Sequence, residues 1–313
     1  MPTSVELFSP ATPDEAISLI TAQSPTFTTA SQVRLFGQSS LETLFDRGAR
    51  RPELIWAARE NGREVGLLGA RTFDQDLALI DLLALPANSD AADVVIGAAT
   101  VWARSFPRAE ASFGAPATEN PVDDSDVAAV VEAFAAHGWR VLVTRRHYGF
   151  APTAGLGDGV RLPARLERAT ESDRARLEAL VRQVLPGSLD VRDQNAIAEH
   201  GLDSAAARLT AELIDADPIE YVRFAVIDGQ DAGLVIHRLM PSGTAVVAFV
   251  GVAAAFRGRG LARGLVAAAT RELVTEGATT LVAGTDYDNW PMARGFAAVG
   301  WQQTEARIDL VLG

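Results

Sequence analysis

The chain repeats itself. Asn61-Gly62-Arg63-Glu64-Val65-Gly66-Leu67 is matched by Asp228-Gly229-Gln230-Asp231-Ala232-Gly233-Leu234. Phe134-Ala135-Ala136-His137-Gly138-Trp139 is matched by Phe296-Ala297-Ala298-Val299-Gly300-Trp301, and Ala11-Thr12 by Ala169-Thr170. Three matches in one order, about 160 residues apart, mark a duplicated domain. Each match also has a local meaning. Asn-Gly and Asp-Gly supply the positive φ of tight hairpins, and both lie between apolar runs (54–58 and 66–70; 224–227 and 233–236). Each Gly-Trp pair closes a helical pattern ahead of a strand, 140–144 or 302–312. Residues 149–163, with Pro152, Gly155, Gly157, Gly159 and Pro163, carry neither a helical nor an alternating pattern and read as a join. The expected organisation is residues 1–150, a linker at 151–163 centred near Asp158, and residues 164–313. Each half runs helix–helix–hairpin–strand–helix–strand–helix–strand. The fold class is α/β: two tandem domains, each a central mixed sheet flanked by helices.

Bulk properties narrow the function. A length of 313 residues exceeds one typical domain, and 48% hydrophobic with 22% charged residues describes a globular chain. No apolar run reaches the length of a membrane span and no basic-then-apolar leader opens the chain, so a cytoplasmic protein without membrane contact is expected. Zero cysteines exclude disulfides, thiolate metal sites and a cysteine nucleophile. The net charge of −12 argues against nucleic acid as a partner. It suits a cationic amine substrate, although solubility alone accounts for such a balance. Every one of the 28 basic residues is arginine. Histidines 137, 147, 200 and 237 lack the spacing of ligand pairs, so no metal site is expected.

Against this acidic background, Arg257, Arg259 and Arg263 crowd one turn. The apolar run 246–252 leads into Arg257-Gly258-Arg259-Gly260-Leu261-Ala262, and Leu261, Leu265, Val266, Ala269 and Leu273 then follow at helical spacing. A strand, a glycine-rich turn and a helix start form an anion seat. The first amides of a helix are unpaired, its dipole is positive there, and glycines remove the Cβ atoms that would hold a phosphate off. A Walker loop needs a lysine this chain lacks, and Gly258, Gly260 and Gly264 miss the dinucleotide spacing by one residue.

Arg-x-x-Gly-x-Ala at 257–262 resembles the acyl-CoA pyrophosphate loop of the GCN5-related N-acetyltransferases (GNAT). Asp286-Tyr287-Asp288-Asn289-Trp290-Pro291-Met292, followed by a helix ending in Gly300-Trp301, resembles the second signature of that family. The resemblance implies acetyl-CoA as donor. It also implies a split between the fourth and fifth strands, with Val250, Gly251 and Val252 offering an edge to the pantetheine arm and Asn289 beside it. Asn289 reads equally well as a helix N-cap. The implied activity is acyl transfer from the thioester to the amine of a small molecule or peptide. Without a cysteine, direct attack by a neutral amine is the simplest route. An N–H near Gly251 would stabilise the growing oxyanion.

Glu220, Asp286 and His237 are candidate bases. The tyrosine that the family carries seven residues after the asparagine is Phe296 here, so Tyr287 or water would have to serve as the acid. Binding of acyl-CoA with little turnover, as a sensor or scaffold, is therefore the alternative reading, and a mycothiol synthase-like enzyme ranks lower, since no sugar-binding pattern is recognisable. The variable segment 185–218 carries no diagnostic pattern for the acceptor, and a monomer and a homodimer are equally open.

The first copy lacks these features. Its corresponding stretch, 85–93, has no arginine and two aspartates, Asp90 and Asp93, which would repel a pyrophosphate. Gly97 alone stands at an expected helix start. Asp123-Asp124-Ser125-Asp126 lacks the glycine and distal glutamate of a calcium loop and reads as a solvated helix start. This half is expected to bind no CoA and to wall the substrate cleft of the other.

Overall fold

The computed structural model describes residues 5–73, 76–87, 89–155, 159–216 and 218–313; Asn88, Gly157 and Asp158 lie outside them. The chain divides into two compact units, residues 1–145 with 305–313, and residues 146–304. The division departs from two contiguous halves at the chain's end, because the final strand finishes in the first unit.

The first unit runs β1 (Val5–Phe8), α1 (Pro13–Thr21), α2 (Ala30–Leu35), α3 (Gln38–Asp46), β2 (Arg50–Glu60), β3 (Arg63–Phe73), β4 (Leu77–Ala84), α4 (Ser89–Ala103), β5 (Arg108–Ala115), α5 (Ser125–Ala135) and β6 (Trp139–Phe150), the last strand continuing into the second unit. The second runs β7 (Arg165–Arg168), α6 (Arg174–Val184), α7 (Val191–Ala216, interrupted at Gly201), β8 (Val222–Ile227), β9 (Gln230–Leu239), β10 (Thr244–Val252), α8 (Leu261–Thr275), β11 (Thr280–Asp286), α9 (Trp290–Val299) and β12 (Gln302–Leu312). The strand orders within the units are β1-β2-β3-β4-β5-β12 and β11-β10-β9-β8-β7. In both, the hairpins are antiparallel and the crossover strands, β4 with β5 and β10 with β11, are parallel. No described helix is long and apolar enough to cross a membrane.

The repeated sequences become repeated structure. Asn61-Gly62 and Asp228-Gly229 take φ of 49°, 76°, 50° and 76°, the two left-handed residues of a tight hairpin. One face of each sheet is filled by its crossover helix and the other by its early helices. Leu68, Leu83 and Val95 share one core of the first unit while Leu67, Leu82 and Leu19 share the opposite one. Val235 with Leu265 and Leu234 with Leu180 divide the second unit in the same way, as period-2 alternation requires. The Phe–Trp matches are buried ring pairs, 134 with 139 at 5.8 Å and 296 with 301 at 5.3 Å. Each indole N–H donates to a threonine of the crossover helix, Trp139 to Thr100 at 2.8 Å and Trp301 to Thr270 at 3.0 Å.

Helix starts follow the reading at Asp124 and Asn289, and Thr12 opens α1; the side chains of all three accept amides of the first turn. Three features differ. The first unit places three helices, α1, α2 and α3, ahead of its hairpin where two were expected. Each half begins with a four-residue edge strand, β1 or β7, too short to show an alternating pattern. Gly97 is not at a helix start but inside α4, where the imidazole of His137 closes over it.

Thr270→Val keeps the shape of the side chain but leaves the buried Trp301 N–H without an acceptor. Denaturant melts are expected to show a loss of about 1–3 kcal/mol of stability.

Candidate functional site

Pairing between β10 and β11 ends early. The parallel register covers 244–247 against 280–283, and β10 beyond Val247 has no partner on β11. On its other side β10 stays bonded to β9 as far as Val252, with Ala248 inserted as a bulge. A bulge adds one residue to one strand and bends it. The stretch 249–252, which holds Val250, Gly251 and Val252, therefore has one bonded edge and one edge facing a split between strands.

Beyond Val252 a single turn (Ala254–Phe256) brings the chain to Arg257. Gly258 and Gly260 both take φ of +76°, a left-handed conformation that side chains rarely adopt, and no atom occupies the space a Cβ would fill at Gly258. Gly260 is the N-cap of α8 and gives no side-chain cap; the first turn closes from the Gly264 amide to the Gly260 carbonyl at 3.1 Å. The opening amides of α8 therefore have no internal acceptor. Residues 257–260 are exposed, as is Arg263, while Leu261 is buried as the anchor of the helix.

Arg257 serves this turn differently from a phosphate ligand. Its guanidinium donates to the carbonyls of Val252 (3.2 Å), Val184, Pro186 (2.7 Å) and Gly187 (3.1 Å). The last three are the carbonyls left over where α6 ends, a place that favours a cation. Arg257 thus ties the turn to the end of α6. Arg259 stays exposed, with Nη2 on the Ala255 carbonyl at 3.3 Å.

The β11–α9 connection follows the end of β11 that β10 leaves unpaired. The Asn289 side-chain oxygen accepts the Met292 amide at 3.2 Å, an N-cap. Buried Asp286 holds the Val191 amide at 2.7 Å, fixing the start of α7. The Tyr287 ring lies against the Arg146 guanidinium, 3.6 Å from Cζ to the ring centroid. Buried Phe296 stacks on Tyr148 at 4.7 Å and 22°. Burial pushes the Tyr148 hydroxyl above its ordinary pKa, and the nearby Arg146 charge opposes the shift.

Two candidate bases stand elsewhere. Glu220 precedes β8, and the register aligns Phe224 with Leu234 and Gly251, so Glu220 is four residues below the Gly251 level and two strands across. At strand spacings this is on the order of 15 Å. His237 is buried with Nε2 on Glu272 at 2.9 Å, and Glu272 also takes Arg223 at 3.0 Å, a group that ties α8 to the sheet. The described residues contain no cluster of three or more His, Cys, Asp or Glu able to hold a metal. Sequence reasoning missed Arg146 and Tyr148 because they sit on β6, inside the first repeat by sequence and in the second unit by position.

Residues 186–301 match the family model described as the acetyltransferase (GNAT) family. Residues 186–301 thus form a GNAT acetyltransferase domain. Among solved structures, a GCN5-related N-acetyltransferase from Sphaerobacter thermophilus superposes with a TM-score of 0.65 at 12% identity, over 98% of this chain and 95% of that one. A tandem GNAT protein from the clavulanic acid biosynthesis pathway gives 0.56 at 17% identity, over 98% of both chains. A GNAT-family acetyltransferase from Colwellia psychrerythraea gives 0.51 at 13% identity, over 98% of both chains. No curated protein matches the chain. At these identities the likeness establishes the fold, and it extends the GNAT architecture over both halves.

The ion pairs and hydrogen bonds of His237 and Arg223 hold the Glu272 carboxyl below its ordinary pKa, against a smaller opposing effect of burial. A depressed carboxyl stabilises the fold above its unfolded pKa of about 4.3, and that contribution is lost as pH falls through the folded value. Glu272→Gln is expected to lose less stability than wild type between about pH 5 and pH 3, measured by denaturant melts.

Proposed function

We propose that this GNAT domain transfers an acetyl group from acetyl-CoA directly to the amine of a small molecule or peptide. One observation carries the reading: α8 begins exposed and uncapped, entered through two left-handed glycines with open space at Gly258. The amides of residues 258–262 would take the CoA diphosphate with the positive end of the helix dipole behind them. Arg259 would add charge at the rim, and Arg257 would act by holding the turn. The free edge of β10 at Val250, Gly251 and Val252 suits the pantetheine amides as an added strand, and Asn289, in the connection after β11, would lie beside that arm. When bound, the thioester supplies the acyl group and a thiol leaving group.

Gly251 is the donor proposed for the oxyanion. Asp286 and Tyr287 are the acid–base candidates that stand at the end of β11, beside the split. Phe296 offers no proton. A thiol of pKa about 8.5 leaves as thiolate at pH 7 for only about 2 kcal/mol, so transfer does not require an acid there. The same phenylalanine favours a second reading in which acyl-CoA binds and turns over little.

Calorimetry of the full-length chain with acetyl-CoA is expected to give saturable binding. Gly258→Asp, which puts a carboxylate into open space at the seat, should weaken it by at least about tenfold while the fold is retained. Equal affinity in that variant would refute the placement of the diphosphate. Release of free CoA with any member of an amine panel supports transfer, and binding without release supports the second reading.

A further inference from the structure

Arg146 is 7% exposed, and its guanidinium is incompletely used. Nε donates to the Tyr287 carbonyl at 3.0 Å and Nη1 to the Gln303 side-chain oxygen at 3.0 Å, while Nη2 has no partner. Both acceptors are neutral. Its Cζ lies over the Tyr287 ring and over the Trp290 ring, whose centroid is 4.3 Å away. The other buried arginines each hold a carboxylate, Arg50 on Asp81 at 2.6 Å and Arg223 on Glu272 at 3.0 Å. Arg146 has none among the described residues.

A guanidinium taken out of water without a counter-charge is costly, and aromatic faces offset only part of that. The group that would offset that cost is an anion. A carboxylate fits best, because the fork of an arginine matches its two oxygens in plane.

The position of Arg146 gives its unpartnered Nη2 a use. Tyr287 and Trp290 flank Asn289 in the connection from β11 to α9, the same connection whose Asp286 holds the start of α7. Trp290, in the first turn of α9, is 49% exposed, so its indole is a cover that can swing aside without disturbing a core.

We propose that Arg146 seats a carboxylate carried by one of the two reacting molecules, an inference that rests on the acyl-CoA reading above. An amine acceptor that is itself an acid, such as a free amino acid or a peptide C-terminus, presents one. So does an acyl chain ending in a carboxylate. A neutral amide of the same shape does not.

The test titrates full-length protein, with and without saturating acetyl-CoA, against free amino acids and the corresponding amino-acid amides. A parallel arm compares succinyl-CoA with acetyl-CoA. Acids are expected to bind about 10- to 100-fold more tightly than their amides, the loss expected from one charged hydrogen-bonded contact. Arg146→Gln should erase that preference while acetyl-CoA affinity stays at the wild-type value. If the preference appears for succinyl-CoA and vanishes in Arg146→Gln, the carboxylate belongs to the acyl chain. Acids and amides binding alike, together with equal affinity for the two thioesters, would overturn the proposal. The wild-type comparison needs no variant, and Arg146→Met replaces the buried cation by an apolar chain should the glutamine variant fail to fold. Failure of acetyl-CoA to bind wild type would strike the acyl-CoA reading alone, since the titration without it still reads Arg146.

Discussion

The parting of β10 from β11 after the Val247–Ala283 pair is the constraint on which the candidate site depends. Strand backbone inside a sheet normally spends both edges on its neighbours. Here the bulge at Ala248 bends β10 while β9 keeps its hold, so the four residues 249–252 retain one bonded edge and present the other to the split. The same bend delivers the chain to Gly258 and Gly260, and α8 begins beyond the end of the paired region. Arg257 secures this geometry by occupying the carbonyls at the end of α6. The free edge and the uncapped start of α8, on which the proposed acyl-CoA site rests, thus follow from one interruption of sheet pairing.

The first unit has the same interruption and a different filling. Its parallel pairing covers 77–80 against 108–111, and its bulge is Asp81, the counterpart of Ala248. Asp81 is buried between Arg50 at 2.6 Å and Arg71 at 2.7 Å. Phe27 stacks on Phe113 at 5.7 Å, and Thr29 and Ser31 crowd Gly114 on β5. The passage from β4 to α4 is shorter than that from β10 to α8 and has no glycine. Duplication kept the scaffold, down to the indole–threonine bonds, while the two splits took up different chemistry.

Much of this was legible in sequence because it rests on local rules. Hairpin turns and the Asn289 cap are each set by one or two residues acting on their neighbours. The glycine-rich turn was legible for the same reason. What escaped reading depends on distant partners. The duty of Arg257 is fixed by carbonyls some seventy residues away, and that of His237 by Glu272 on a helix behind the sheet. Asp286 looked like a free carboxylate at a strand end, yet it is held by the first amide of α7. Arg146 and Tyr148 lie in the repeat that lacks the loop, and only the course of β6 carries them into the second unit.

The most direct measurement is amide hydrogen exchange across residues 248–263, with and without acetyl-CoA. Protection rising at 258–262 and along 250–252, with no comparable change in residues 85–93, is the predicted result. Protection confined to any other segment, or none at saturating ligand, would contradict the account.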